Sequence, residues 1–280
     1  MSTWFITGAS RGFGLEIARQ ALERGDNVVA TARRAETVTR ALPDDSDRLL
    51  AVPLDVRDQD QAQAAVTAAV DAFGTVDVLV NNAGRGLVGA VEESTDAEIR
   101  SIYDTNVFGL LNVTRVALPV MRSRRSGRIL NVSSLGGFNS SSGFGIYCST
   151  KFAVEGISEA MHDELEGLGI KVTVVEPGYF RTDFLDGRSL STETTVIEDY
   201  ASTAGAVRGA VPGLNHAQPG DPVKGATAFL TLADADNPPV RAQLGSDCLK
   251  ELDTKITQLR TESQAWRDLA VSTDHEDVLI

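Results

Sequence analysis

The chain is poor in cysteine, in histidine and in long apolar runs, and each shortage removes a class of explanation. Two cysteines in 280 residues, Cys148 and Cys248, cannot make a disulfide framework and suit a reducing cytosol. The three histidines, His162, His216 and His275, show no metal-ligand spacing, so solvated or core histidines are expected and no metal. No apolar stretch approaches the roughly 20 residues that span a bilayer. The pattern Thr3-Trp4-Phe5-Ile6 starts a strand almost at the initiator Met, so no signal peptide and a cytoplasmic location are expected. Positive charge is short as well. Lys and Arg number 26 against 39 Asp and Glu, and the net charge of −13 argues against a nucleic-acid or anionic-membrane partner. Glycine is plentiful, at 25 residues, in a chain that is 42% hydrophobic and 23% charged. That is a globular profile with many tight turns.

The first glycines fall where a strand pattern gives way to a helix. Trp4 to Thr7 is a short apolar strand, and Gly8-Ala9-Ser10-Arg11-Gly12-Phe13-Gly14 is a turn. Leu15, Ile17, Ala18, Ala21 and Leu22 then recur at helical spacing until Gly25, and Asn27 to Ala32 closes a βαβ unit. In such a unit glycines let the backbone approach a pyrophosphate, whose charge sits at the helix N-terminus. The spacing is G-x-x-x-G-x-G, and the plainer alternative is an ordinary glycine-rich turn. Many dinucleotide folds place an acidic residue at the end of the second strand. Here stand Arg33 and Arg34, with Arg11 in the glycine turn. Three guanidinium groups suit a 2′-phosphate and leave no carboxylate for NAD, unless they are merely solvated loop residues. The pattern favours NADP(H) over NAD(H).

Further along, Asp44 to Asp47 is an acidic loop and Leu49 to Leu54 a third strand. Asp55 follows with Val56, either as partner of an adenine amino group or as the cap of the next helix. Val76 to Val80 is strand four, ending in Asn81-Asn82-Ala83-Gly84. That run lets the chain pass close to a flat ligand, or is a plain turn. Thr95 to Met121 reads as one long helix, which Pro119 kinks or ends. Asn106 inside it is either a surface residue or a buried amide marking an irregularity that holds a water. Arg128 to Val132 is strand five, and Ser134 stands just beyond it.

Tyr147 and Lys151 open the next helix, four residues apart and so on one face. A phenol has a reference pKa of ~10, and a nearby ammonium lowers it toward the working range of a general acid/base. Ser134, thirteen residues before Tyr147, is placed to hold a carbonyl or alkoxide oxygen against the tyrosine. Ile170 to Glu176 is strand six, followed by Pro177-Gly178-Tyr179-Phe180-Arg181-Thr182. Periodicity then fades from Asp183 to Asp221, and irregular stretches longer than ~12–15 residues are often active-site lids. Substrate contacts are expected in the loop 179–221. Pro222 to Ala233 is a helix, Val240 to Leu244 a strand and Asp247 to Leu269 a polar amphipathic helix, with a frayed tail from Ser272.

Strands alternating with helices predict an α/β fold, a parallel sheet with helices on both faces. We expect residues 1–245 to form one Rossmann-type doubly wound domain that includes the loop 179–221, with a seven-stranded sheet. Residues 246–280 are expected as a helical extension packed on it. The glycine turn, Asn82-Ala83-Gly84, Ser134 and the pair Tyr147/Lys151, in this order and all at strand ends, resemble the short-chain dehydrogenase/reductase family from Thr3 to about Leu244. The resemblance implies roles. Gly8, Ser10, Arg11, Gly12, Phe13 and Gly14 look like the cofactor turn, and Asp55-Val56 like its adenine contact. Asn82, Ala83 and Gly84 look like the family's structural and cofactor motif, and Pro177, Gly178 and Thr182 like its nicotinamide loop. Arg33 and Arg34 resemble those of NADP-preferring members. Asn106, Ser134, Tyr147 and Lys151 look like the catalytic tetrad. In that scheme Tyr147 is the acid/base, Ser134 orients the substrate oxygen, and Lys151 lowers the tyrosine pKa and holds the nicotinamide ribose. Asn106 anchors a proton-relay water.

The expected function is an NADPH-dependent carbonyl reductase, equally a reversible alcohol dehydrogenase, assembled as a homodimer or homotetramer. Phe138, Phe144, Tyr179, Phe180 and Phe184 suggest an apolar or aromatic carbonyl or alcohol substrate, unless they are core residues. One alternative is an NAD-dependent, hydroxysteroid-like dehydrogenase working toward oxidation. The other is a non-catalytic NADP(H)-binding sensor, which would require the loss of Tyr147 or Lys151.

Overall fold

The computed structural model describes residues 1–43, 46–187, 189–192 and 195–275. The first part of the acidic loop, three positions of the 179–221 loop and the end of the tail therefore lie outside the described residues. In β1 (Thr3–Ile6) side chains alternate between two faces, yet Trp4, Phe5 and Ile6 are all fully buried. Burial on both faces recurs in β2 (Asn27–Ala32), β4 (Val78–Asn81), β6 (Gly127–Val132) and β7 (Ile170–Pro177). Strands of this kind must be covered by helices on both sides. With β3 (Leu49–Pro53) and β9 (Arg241–Leu244) they form a seven-stranded parallel sheet in the order β3-β2-β1-β4-β6-β7-β9. The predicted doubly wound sheet is what the chain forms.

The two covers differ in their partners. Trp4 and Ile6 pack with Ile17, Ala18 and Ala21 of α1 (Gly12–Glu23) and with Ala226 and Phe229 of α8 (Pro222–Asp234). Phe5, Leu79 and Ile129 face the other layer, with Ala62 and Ala65 of α3 (Gln59–Phe73), Met121 of α5 (Gly109–Arg124) and Met161 of α6 (Gly145–Glu166). Fully burying side chains of this size stabilises by about 1.5–3 kcal/mol each. Among the described residues, the remaining α-helices are the short α2 (Glu36–Ala41), α4 (Asp96–Tyr103), α7 (Ala206–Leu214), α9 (Ser246–Ala265) and α10 (Arg267–Val271).

Three departures from the sequence reading bear on the site. The long helix is two helices, α4 and α5, joined by a π-helical turn over Asp104–Phe108 with Asn106 buried inside it. Pro119 lies within α5, which continues to Arg124 and stops where Arg125 turns left-handed. The 179–221 segment carries short elements of its own. Its β8 (Leu190–Thr192) pairs in parallel with β5 (Gly86–Val88), forming a second, two-stranded sheet. Glu93, almost fully buried, ties this segment down. It accepts hydrogen bonds from the Ile197 N–H at 2.9 Å and the Ala90 N–H at 2.7 Å, and pairs with Arg208.

Candidate active site

Strand order reverses between β1 and β4, and in open parallel sheets ligands bind beside the carboxyl ends of the strands at such a point. A cleft of about 850 Å³ opens there. Of the catalytic and cofactor-binding residues expected from sequence, all but Gly14 and Asn106 line it. Those two lie just behind the wall. A Cβ on Gly14 would come within 2.6 Å of Asn82 Nδ2 and of the Gly8 oxygen, so only glycine lets α1 approach β4 this closely.

The glycine turn is built for a backbone approach. Gly8 has φ +68° and Gly12 φ +56°, conformations that favour glycine. A side chain at Gly12 would project toward Thr182, its Cβ 3.7 Å from that of the threonine, across the cleft. The first turn of α1 has no acidic residue, and Arg11 at its N-cap provides no side-chain cap. The helices α3, α4 and α8 are by contrast capped by Asp58, Thr95 and Asp221. An uncapped N-terminus with a glycine approach suits an anion. Thr7 and Asn82 lock this edge. Thr7 Oγ1 accepts from the N–H groups of Asn82 and Ala83 at 2.9 Å, and Asn82 Nδ2 donates to the Thr7 oxygen at 2.8 Å.

At the far end Arg33 and Arg34 are exposed on the cleft wall. Asp55 does not cap α3, since Asp58 does. Its carboxylate is gripped by Arg57, with Nη2 at 2.5 Å and Nε at 2.9 Å, and that pairing holds it below the usual carboxylate range. Arg57 also lines the cleft, and sequence reasoning passed over it although it lies two residues from Asp55. Arg11 reaches the other way, donating to Ser189 Oγ at 2.7 Å. Of the three arginines expected to cluster, Arg33 and Arg34 are exposed on the cleft wall with Arg57, while the Arg11 guanidinium turns to the 179–221 segment.

The near end is dry. Tyr147 and Lys151 are 8% and 6% exposed, and the phenol ring touches Phe184 and Phe144 with centroids 5.5 and 6.1 Å away. Ser134, two residues past β6, hydrogen-bonds the Tyr147 hydroxyl and also accepts from the Gly136 N–H at 3.1 Å. Lys151 donates to the Val132 oxygen at 2.9 Å, with its ammonium 5.9 Å from the Tyr147 ring centroid. Burial pushes the phenol above its ordinary value, with the Ser134 bond opposing, and lowers Lys151 to about 8 against the pull of Glu155. Desolvation thus moves the phenol in the opposite direction from the acidification expected of its neighbour.

Asn106 is occupied by protein partners. Its Nδ2 donates to the Arg85 oxygen and Thr150 Oγ1, and its Oδ1 accepts from the Arg85 N–H. Thr150 in turn donates to the Tyr147 oxygen at 2.7 Å, so the amide braces the first turn of α6. A Cβ on Gly84 would sit 3.5 Å from Asn106 Oδ1 and 3.7 Å from Lys151 Nζ, which brings these two side chains to one point. Of the five expected aromatics, Phe144, Tyr179, Phe180 and Phe184 line the cleft and Phe138 does not. Phe180 packs on Phe13, centroids 4.9 Å apart, and Phe13 on the core residue Phe229, so the pair also links the cleft to the core.

A phosphate-ready glycine turn in one cleft with a Ser134-bonded, buried Tyr147 and Lys151 is the arrangement of a nucleotide-linked oxidoreductase. Comparison with known proteins agrees. The short chain dehydrogenase family model matches residues 2–192. An oxidoreductase of Botryotinia fuckeliana, BOA17, is 37% identical over 96% of this chain and 98% of its own length. The 3-ketodihydrosphingosine reductase of Bacteroides thetaiotaomicron is 41% identical over 71% of each chain. A short-chain dehydrogenase from Streptomyces avermitilis, solved by crystallography, superposes with a TM-score of 0.89 at 40% identity, covering 98% of this chain and all of that one. Structures of similar fold include complexes with NADP and with NAD. The chain belongs to the short-chain dehydrogenase family, and it is an oxidoreductase acting on the CH–OH/C=O couple. No helix among the described residues is long and apolar enough to cross a membrane.

Proposed function

We propose that the protein is an NADPH-dependent carbonyl reductase with Tyr147 as general acid, and the observation that carries this is Ser134 hydrogen-bonded to the buried Tyr147 beside the buried Lys151 in the wall of the cleft. The glycine cradle, the uncapped start of α1 and the exposed Arg33 and Arg34 fit a dinucleotide bearing a 2′-phosphate. When bound, NADPH supplies the hydride. The chain's own groups handle the proton. Ser134 and Tyr147 donate hydrogen bonds to the substrate oxygen, and Tyr147 passes its proton to that oxygen as negative charge develops on it. The Lys151 ammonium then faces a phenolate and stabilises it through a low-dielectric path. Asn106 acts by holding the α6 first turn and the Arg85 backbone in register. Phe144, Phe184 and Leu185 line the substrate side, which suits an apolar ketone or aldehyde. The name of the Bacteroides relative, a reductase of a ketone, supports the reducing direction.

Tyr147→Phe is the direct test. It removes the proton donor and keeps the ring against Phe184. We expect NADPH oxidation with an apolar ketone to fall by at least about 10³-fold, with NADPH binding, followed by fluorescence, nearly intact. Retained turnover would refute the assignment.

A further inference from the structure

Helix α9 starts against the sheet, with Cys248 Sγ donating to the Glu176 oxygen of β7, and then leaves it for most of its length. Cys248 in its first turn is buried, and the helix is tied down by the Tyr179 N–H donating to Asp247 and by Asn139 donating to Glu251. From Ile256 to His275 every residue is exposed. Yet its apolar residues are not scattered. Leu249, Leu252, Ile256, Leu259 and Ser263 follow one another at intervals of three, four, three and four, the a/d spacing of a coiled-coil seam with one small polar residue in it, and Trp266 stands three residues on as the C-cap that ends the helix. Leu249, Ile256, Leu259 and Trp266 are 52%, 38%, 52% and 67% exposed.

We propose that α9 pairs antiparallel with α9 of a second copy of this chain, about a two-fold axis between Thr257 and Gln258. In that register Leu249 meets the partner's Trp266, Leu252 the partner's Ser263 and Ile256 the partner's Leu259, so the large residues at one end cover the seam at the other. The flanking charges select this arrangement. Asp253 falls opposite the partner's Arg260, and Lys255 opposite the partner's Glu262. Two-fold symmetry repeats each pair. A parallel pairing would instead set Lys255 against the partner's Arg260, like against like. Among the described residues, no ion pair within the chain engages Asp253, Lys255, Arg260 or Glu262. The projecting half of α9 also lacks the tertiary packing from which most helices in proteins gain stability, and the partner supplies it. Because Tyr179 and Asn139 line the cleft, the paired helices brace its wall.

The full-length protein is examined by sedimentation at protein concentrations up to about 100 µM, within the range of a weak specific interface. Arg260→Glu places like charges together at two symmetric positions. It is expected to weaken assembly by about tenfold or more, lowering the mass at a concentration where the wild type is assembled. Asp253→Arg combined with Arg260→Asp exchanges the two signs and is expected to restore it. Under oxidising conditions Leu252→Cys with Ser263→Cys should yield a covalent dimer, and Leu252→Cys alone should not. A monomeric wild type, an assembly indifferent to Arg260→Glu, or cross-linking by Leu252→Cys alone would overturn the proposal.

Discussion

At one end of the cleft Arg33, Arg34 and Arg57 stand in water; at the other Tyr147 and Lys151 are nearly sealed from it. The wet end is rich in charge, but each charge there is screened. At 4 Å a pair of unit charges interacts by about 1 kcal/mol in water and about 4 kcal/mol near a protein surface. Under the proposed function, exposed arginines would therefore act through hydrogen-bond geometry toward a multivalent anion. The dry end has one cation and one phenol, and burial moves both from their ordinary values, the phenol up and Lys151 down to about 8. A chemical step needs groups whose proton affinity is set by surroundings. Cofactor choice needs only a cluster of donors. Under the proposed function, the two ends divide these tasks.

Breaking the dry end should have the larger effect. Lys151→Met removes the charge that faces the phenolate and the 2.9 Å bond to the Val132 oxygen. We expect kcat for carbonyl reduction to fall about 10²–10⁴-fold, measured by steady-state NADPH oxidation. A loss below tenfold would leave the ammonium no chemical role. At the wet end, Arg33→Ala with Arg34→Ala should lower kcat/KM for NADPH by about 10–100-fold and leave NADH nearly unchanged. Equal losses with both cofactors would mean that these arginines read something other than the 2′-phosphate.

The pH profile sharpens the contrast further. Lys151 has its pKa lowered to about 8, so its ammonium is fully present well below that pH and is lost as the pH rises through it. Reduction should be flat to about pH 7 and fall by up to about tenfold per unit above 8, with the fall absent from the residual activity of Lys151→Met.

Much of the sheet could be read from the chain because its strands are short apolar runs bounded by glycine, proline or asparagine. The site could be read because its residues stand at fixed offsets from strand ends. Asn106 is instructive: an amide inside an apolar helical pattern does mark a break in the ladder, the π-helical turn Asp104–Phe108. What could not be read depends on partners far away in sequence. The strands β5 and β8 have three residues each and acquire their form only from one another. Glu93 and Arg208 lie 115 residues apart, and neither carries a local sign of the other. The raised phenol is of the same kind. Tyr147 and Lys151 by themselves predict acidification, but Phe184, 37 residues on, helps to dry the pocket and reverse the sign.

The smallest expected effect lies just outside the cleft, where drying acts on a carboxyl. Glu176 is fully buried at the end of β7, beside Glu155, with Arg241 at 3.6 Å. Burial, and then the Glu155 charge, raise its pKa to about 7. The folded chain thus holds this proton more tightly than the unfolded chain, where the carboxyl titrates near ~4.3. Its contribution is fully present below the unfolded pKa and is lost as pH rises through about 7, so the native state is disfavoured at alkaline pH. Glu176→Gln keeps an acceptor and donates in place of the shared proton. It should stabilise the protein by about 2 kcal/mol at pH 8, a Tm rise of about 4 °C, and by much less at pH 5. The arginine pair and the second carboxylate keep the gain below what an isolated buried acid would give. Calorimetry at the two pH values decides the matter: an equal gain at both would make it a packing effect, and no gain at pH 8 would mean that Glu176 is ionised at little cost.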